Sequence, residues 1–265
     1  MILLCLLSFR RPNYLARTIE AFVRHNETLL GRCLKMIALD QCASQETLGV
    51  FEGGRSYFEK VYTTEINLGI GWGFSQLVEL SRLHEADFIL FLEDDWLCQV
   101  PLEKHLVDIE DLFRTRPDVG TLRLRTVDDA VATVNHVTML PVEKTRWRDS
   151  FLIGNYHYVF NPHLVRVGVA RSMVPVSGEH HAQIRYQALG FQAVQLADRM
   201  FHHIGEHRAP GRISRLPAPE PIIPYGLIDG ADGFFVRLPN NGSGQFTVHP
   251  GPGARQGGET FSGGA

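Results

Sequence analysis

The stretch Phe88-Ile89-Leu90-Phe91-Leu92-Glu93-Asp94-Asp95 indicates both the class of fold and the position of the functional site. Its uninterrupted apolar residues are typical of a short strand buried on both faces of a parallel sheet. The three acids then follow at the carboxyl end of that strand, which is where open α/β sheets bind their ligands. We therefore expect the functional site at this edge of the sheet.

Three neighbouring carboxylates repel one another, and the usual compensation is a bound divalent cation. A hard cation that prefers oxygen ligands, Mn²⁺ or Mg²⁺, keeps open positions for the phosphates of a substrate. Glu93, Asp94 and Asp95 thus predict a metal cofactor and a diphosphate-bearing substrate. The alternative is that they form a solvated turn that caps a helix starting near Pro101.

Length and composition limit the class of protein. The chain has 265 residues and a net charge of -3, which suits one α/β domain with a short appendage and argues against a nucleic-acid binder. The Arg-rich stretch 208–215 could meet an anionic substrate or a membrane surface. Scattered cysteines without CxxC spacing indicate reduced thiols in a cytoplasmic protein. The apolar opening predicts a strand rather than a signal peptide.

Strand and helix patterns alternate through the first half of the chain, which predicts an α/β fold with a mostly parallel sheet flanked by helices. The predicted strands cover residues 2–7, 33–39, 60–63, 87–92, 119–124 and 194–196. The predicted helices cover residues 13–25, 72–83, 102–114 and 179–189. Residues 216–239 are predicted to be a Pro-rich extension, and residues 240–265 a disordered Gly-rich tail with too little apolar surface to order itself.

Polar segments follow the first four predicted strands in order: Ser8-Phe9-Arg10-Arg11-Pro12, Asp40, Asn67-Leu68-Gly69 and Glu93-Asp94-Asp95. Together they resemble nucleotide-sugar glycosyltransferases of the GT-A fold, especially the family-two-like group. The acidic triplet is also similar to that of N-acetylglucosaminyltransferase-like families. The resemblance implies a single Rossmann-like GT-A catalytic domain over residues 1–215, with a nucleotide-sugar half (1–125) and an acceptor half (126–215). It implies metal-dependent transfer of a sugar from a nucleotide diphosphate donor, with a UDP-sugar favoured, to a hydroxyl of a glycan or other acceptor, with inversion.

The resemblance also implies a donor pocket after the first two strands. Ser8 and Arg10 or Arg11 would line the base and the ribose, and Asp40 would accept a hydrogen bond from the base. Simpler alternatives stay open for these residues. The arginines could be exposed charges beside Pro12, and Asp40 could be a turn residue at the end of its strand.

In the resembled family, the loop that contains Asn67 and Gly69 approaches the nucleotide sugar. Its glycines recur at alternate positions and do not form the GxGxxG pattern of a dinucleotide site. The resemblance further implies that Asp95 binds the metal directly, while Glu93 and Asp94 contact the ribose, the sugar or a metal-bound water.

Two histidine-rich stretches complete the implied site. Gly178-Glu179-His180-His181 stands where the family commonly has a Glu-Asp pair, so Glu179 is the leading candidate for the catalytic base and His180 the second. A late histidine, His202 or His203, resembles the one that completes the metal site in several GT-A enzymes. Adjacent side chains on a strand point to opposite faces, so only one of the two would reach the metal.

Two other functions compete with glycosyl transfer. A nucleotidyltransferase would share the sheet and the acids, but it normally has a Gly-rich loop after the first strand, and residues 8–13 contain no glycine. A degenerate domain that binds a nucleotide or glycan without catalysis would explain why His180 stands in the position of an expected Asp.

Overall fold

The computed structural model describes residues 1–125, 135, 137–205 and 233–238. Its strands are Ile2–Ser8 (β1), Leu34–Gln41 (β2), Lys60–Thr64 (β3), Phe88–Glu93 (β4), Trp96–Cys98 (β5), Val119–Arg123 (β6), Lys144–Trp147 (β7), Phe151–Tyr156 (β8), His163–Arg166 (β9), Gln192–Leu196 (β10), Phe201–His203 (β11) and Phe235–Arg237 (β12). Its α-helices are Pro12–Asn26 (α1), Gln45–Gly53 (α2), Ile70–Leu80 (α3), Leu106–Thr115 (α4), Val167–Met173 (α5) and Glu179–Ala188 (α6).

A large mixed sheet organises the described residues. Its strand order is β12, β3, β2, β1, β4, β9, β6, β10, β8, β7. The strands β1 to β4 and β12 pair in parallel, whereas β9 runs antiparallel between β4 and β6. Hydrophobic clusters cover both faces of this sheet, which is why β1 is buried along its whole length. The predicted α/β class with a helix-flanked sheet is confirmed.

Helix α1 shows how the sequence fixes the layer on one face. Pro12 occupies its first turn, where a missing backbone N–H costs nothing. Leu15, Ile19 and Phe22 recur on one side of the helix and are buried against the sheet. The chain therefore returns to β2 after leaving the site at the end of β1.

A second, two-stranded sheet brings distant parts of the chain to the site. The short strand β5 follows the acids directly and pairs antiparallel with β11. In this pairing Trp96 lies opposite His203. This pairing holds the residues that follow β4 next to His203.

Several elements differ from the sequence predictions. The helices α2 and α5 and the strands β5, β7, β8, β9, β11 and β12 were not predicted. The predicted helix over residues 102–114 is a 3-10 turn, Leu102–His105, followed by α4. β12 lies inside the predicted Pro-rich extension and pairs with β3. The tail 240–265 and the Arg-rich stretch 208–215 lie outside the described residues. No helix among the described residues has the length and apolarity that a membrane crossing requires.

Candidate active site

The acidic triplet lies at the carboxyl end of β4 and is largely buried. Glu93 ends β4 and is partly exposed, whereas Asp94 and Asp95 are 0% and 5% exposed in the turn to β5. Thr18 Oγ1 donates a hydrogen bond to the backbone carbonyl of Asp94 at 2.9 Å, which ties this turn to α1. Because Asp94 and Asp95 are buried and the strand β5 follows them, the alternative of a solvated helix cap is wrong.

Arg11 neutralises two of the three acids. Its Nε donates to Asp94 Oδ2 at 3.2 Å, its Nη2 donates to Asp94 Oδ1, and its Nη1 donates to Asp95 Oδ2. The backbone amide of Phe9 also donates to Asp94 Oδ2, at 3.1 Å. The loop after β1 therefore closes over the acids through a multidentate guanidinium. The guanidinium of Arg11 therefore pairs with the carboxylates of Asp94 and Asp95. The neighbouring Arg10 has a buried Nε that makes no hydrogen bond with the described residues.

Burial and charge set the protonation of the triplet. Burial, reinforced by the charges of Asp95 and Asp94, raises the pKa of Glu93 to about 8. Burial also raises the pKa of Asp94 to about 7, although the charge of Arg11 opposes it. For Asp95, the effect of burial is outweighed by the hydrogen bond with His203 and by Arg11, so its pKa is lowered. Asp95 is thus the acid that stays ionised most readily, as a metal ligand must.

His203 lies beside Asp95 on the paired strands β5 and β11. Its Nε2 is 3.3 Å from Asp95 Oδ2, and its ring packs on that of Trp96 with 4.5 Å between centroids. The side chain of His202 is exposed, as the alternation of a strand requires. Of the two histidines, His203 is therefore the one near the acids.

The pair of Asp95 and His203 fits a divalent metal. Asp95 Oδ1 is buried and accepts no hydrogen bond from the described residues, which leaves this oxygen as a candidate ligand, and carboxylate with imidazole suits Mn²⁺. Gly205 lets Asp95 and His203 pack closely against it, because a Cβ there would overlap Asp95 Oδ2 and lie 3.0 Å from His203 Nε2. Within the described ranges no three His, Cys, Asp or Glu side chains are grouped to hold a metal, so a metal here would rest on Asp95 and His203 as its protein ligands. Substrate oxygens and water would complete the coordination.

The loop between β3 and α3 is fixed by a side chain of β2. Gln41 Oε1 accepts a hydrogen bond from the amide of Leu68 at 2.7 Å, and Gln41 Nε2 donates to the carbonyl of Gly69 at 3.2 Å. Asn67 Oδ1 accepts the amide of Gly69 at 2.8 Å, an Asx turn in which Gly69 takes a φ of 86°. Asn67 and Gly69 thus shape this loop, and their contact with a donor stays a prediction.

Glu179 starts α6 at the same edge of the sheet. Its Oε1 accepts a hydrogen bond from the amide of Phe160 at 3.0 Å, while the residue as a whole is exposed. Its charge contributes to raising the pKa of Glu93, which indicates that the two carboxylates are close. His180 is also exposed, and within the described part of the chain it makes no hydrogen bond or ion pair. Glu179 is the better placed of the two for a role as base.

A close backbone contact fixes the position of Glu179 relative to α3. Gly71, in the first turn of α3, lies against Ser177 and Gly178. A Cβ on Gly71 would overlap the backbone nitrogen of Gly178 and lie 2.7 Å from its Cα. Only glycine permits this approach, which joins the loop before α3 to the residues that precede Glu179.

Ser8 and Asp40 are engaged with each other. They are register partners on β1 and β2, they are 1% and 0% exposed, and Ser8 Oγ donates to Asp40 Oδ1 at 2.7 Å. Thr47 Oγ1 donates to the other carboxylate oxygen at 2.6 Å. Burial raises the pKa of Asp40 to about 6, against these two hydrogen bonds. β2 continues through Gln41, so Asp40 lies inside the sheet rather than in a turn after it. Its contact with the base of a nucleotide stays a prediction.

Comparison with solved structures identifies the fold. The structure of GalNAc-T7 with UDP, GalNAc and Mn²⁺ matches with a TM-score of 0.54 and 13% identity, over 74% of this chain and 42% of that one. S. aureus TarS 1-349 matches with a TM-score of 0.52 and 14% identity, over 76% of this chain and 59% of that one. The same TarS fragment with UDP-GlcNAc gives a TM-score of 0.52 and 14% identity, over 76% and 57% of the two chains. The fold is GT-A. The chain spans less than two thirds of each of these proteins, and no family model or curated protein matches its sequence.

Three residues at the carboxyl edge of this GT-A sheet have roles that the sequence did not predict. Gln41 fixes the loop between β3 and α3, Gly205 packs closely against Asp95, and Arg123 ends β6 with a buried guanidinium. A polar residue at the predicted end of a strand was the available signal for Gln41 and Arg123. For Gly205, the signal was its position directly after the late histidines.

Proposed function

We propose that this chain is a metal-dependent glycosyltransferase that moves a sugar from a nucleotide diphosphate donor to an acceptor hydroxyl, with inversion. The observation that carries the proposal is the buried carboxylate of Asp95, which has His203 beside it and a base candidate, Glu179, at the same sheet edge. A UDP-sugar is the favoured donor, because the TarS and GalNAc-T7 structures of the same fold contain UDP-GlcNAc and UDP, respectively.

The leaving diphosphate needs positive charge at the moment the sugar departs. Mn²⁺ or Mg²⁺, held by Asp95 and His203, would supply Lewis-acid charge when bound. Arg11 adds a second cation next to the same carboxylates, and its guanidinium can share its donors between Asp94 and an incoming phosphate.

The acceptor hydroxyl must lose a proton as it attacks the sugar. Glu179 suits this role because the amide of Phe160 holds one carboxylate oxygen in place while the exposed residue can meet an acceptor. A base on the face of the sugar opposite the diphosphate would give inversion. His180, exposed beside it, is the second candidate.

Donor turnover tests the proposal. UDP release from UDP-GlcNAc and UDP-GalNAc would be measured with Mn²⁺, with a chelator, and in Asp95→Asn. The matched control is Asp149→Asn, an exposed carboxylate after β7. We expect chelation and Asp95→Asn each to abolish UDP release and Asp149→Asn to leave it unchanged.

Three results would contradict the proposal. Release that survives both chelation and Asp95→Asn would remove the metal from the mechanism. Pyrophosphate release from a nucleoside triphosphate would instead indicate a nucleotidyltransferase. Tight nucleotide binding in a calorimeter, without donor consumption for any acceptor, would indicate a binding domain without catalysis.

A further inference from the structure

Arg123 is a buried cation to which the described part of the chain supplies no carboxylate partner. It is the last residue of β6, only 4% exposed, and its Nε and Nη1 are buried without a hydrogen bond. The described contact of its guanidinium is with the ring of Tyr156, whose centroid lies 5.2 Å from the guanidinium carbon. Burial of a charge without a hydrogen-bonding partner is costly, so a side chain selected only for stability would be apolar here.

The position of Arg123 is defined by its neighbours in the sheet. It is the register partner of His163, which is in turn the partner of Phe91, so the three side chains lie on one face. Burial lowers the pKa of Arg123 to about 10; Tyr156 and Glu179 oppose this shift, and Arg125 adds to it. Glu179 and Arg125 are therefore its charged neighbours, and Arg123 lies on the side of the site that carries the base candidate.

Neutral hydrogen bonds fix the buried layer next to Arg123. His163 Nδ1 donates to the carbonyl of Asn161 at 2.8 Å, and Tyr158 Oη donates to His163 Nε2 at 2.7 Å. Burial lowers the pKa of His163 to about 4, so this imidazole is neutral near neutral pH. The buried hydrogen bonds hold the layer next to Arg123 without providing it with an anion.

We propose that Arg123 binds an oxyanion, a phosphate or a carboxylate, on the acceptor substrate. This inference rests on the proposed function, because the acceptor is located by Glu179. In the proposed function, the donor diphosphate would have its own cations, which are Arg11 and a metal held by Asp95 and His203. A guanidinium presents planar, paired donors that match an oxyanion, and the ring of Tyr156 supports that plane.

The test measures binding of small alcohols to the full chain by calorimetry, with UDP and MnCl₂ present to fill the donor site. Glycerol 1-phosphate and glycerate carry a hydroxyl together with a phosphate or a carboxylate, and glycerol carries the hydroxyls alone. We expect at least one of the two anions to bind and glycerol not to bind. Arg123→Met should weaken the bound anion about ten- to hundredfold, and Arg123→Lys about three- to tenfold.

A matched variant separates this site from general loss of charge. Arg24 on α1 is 66% exposed and pairs with Glu20, so Arg24→Met should leave anion binding unchanged. The thermal midpoint of Arg123→Met should be equal to or above that of the parent protein, because an unpaired buried charge is removed. If Arg123 had a structural role instead, Arg123→Met would lower the thermal midpoint.

Four results would overturn the inference. The first two are equal loss of anion affinity in Arg123→Met and Arg24→Met, and no preference for either anion over glycerol. The third is a lower thermal midpoint in Arg123→Met. The fourth is competition between UDP and the anion, which would assign Arg123 to the donor. UDP release from the donor is measured separately. Its absence with anion binding intact would refute the proposed function while leaving an oxyanion site at Arg123.

Discussion

Gly71→Ala should destabilise this protein, although alanine is the better helix former. The position lies in the first turn of α3, where alanine gains about 0.5–1 kcal/mol over glycine. The new Cβ would overlap the backbone nitrogen of Gly178 and lie 2.7 Å from its Cα, where ordinary contacts are 3.4–4 Å. Overpacking costs about 1–3 kcal/mol, and backbone on both sides must separate, so we expect a net loss of roughly 1–2 kcal/mol.

Urea denaturation measures this change in the free energy of unfolding, and the thermal midpoint should fall by about 2–8 °C. Gly49→Ala in α2 is the control, because nothing lies within 4 Å of its added Cβ. That variant should gain about 0.5–1 kcal/mol. If Gly71→Ala proves as stable as Gly49→Ala, α3 does not approach residues 177–178 as described, and the argument that this contact positions the base fails.

Three further predictions concern the metal, the buried carboxyl of β2 and the base. Gly205→Ala should weaken Mn²⁺ binding about tenfold or more, because its Cβ displaces Asp95; unchanged affinity in a calorimetric titration would contradict this. Burial raises the pKa of Asp40 from 3.8 to about 6 in the folded protein. The contribution of Asp40 to stability is therefore most favourable below the pKa of the unfolded chain and declines as pH rises through the pKa of the folded protein. Relative to Asp40→Asn, the unfolding free energy of the parent should therefore fall by roughly 3 kcal/mol between about pH 4 and 7, and a flat difference in urea titrations would refute the shift. Glu179→Gln should lower the rate of transfer about 10²–10⁴-fold while donor affinity is kept, whereas a larger loss in His180→Ala would exchange the two roles.

The sequence predicts the first half of the fold well because each element there is defined by local pattern. The central strand and its acids are in the predicted position, and β1 to β4 begin and end within two residues of the predicted bounds. The helix α2 was missed because Gly49 and Gly53 lower its helical signal. The capping box of Ser44 and Thr47 was the local cue to its start.

The candidate site is less predictable, since its contacts join residues far apart in the chain. Arg11 and Asp94 are 83 positions apart, and only the parallel pairing of β1 with β4 brings them together. The strands β5 and β11 have three residues each, too few for a periodic signal, and each forms because the other is present. Arg123 would be taken as an exposed charge from sequence alone, since its burial depends on β9 and β10 on either side of it.

The pairing of β12 with β3 has a consequence for how the protein is made. Lys60–Thr64 emerges from the ribosome early, but its partner, Phe235–Arg237, is synthesised much later. Until then, the backbone amides and carbonyls on one side of β3 form an unpaired strand edge, with which another nascent chain can pair. In a polypeptide truncated before residue 235, this edge of β3 stays without its partner β12. Aggregation during expression should therefore depend on whether residues 235–237 are retained.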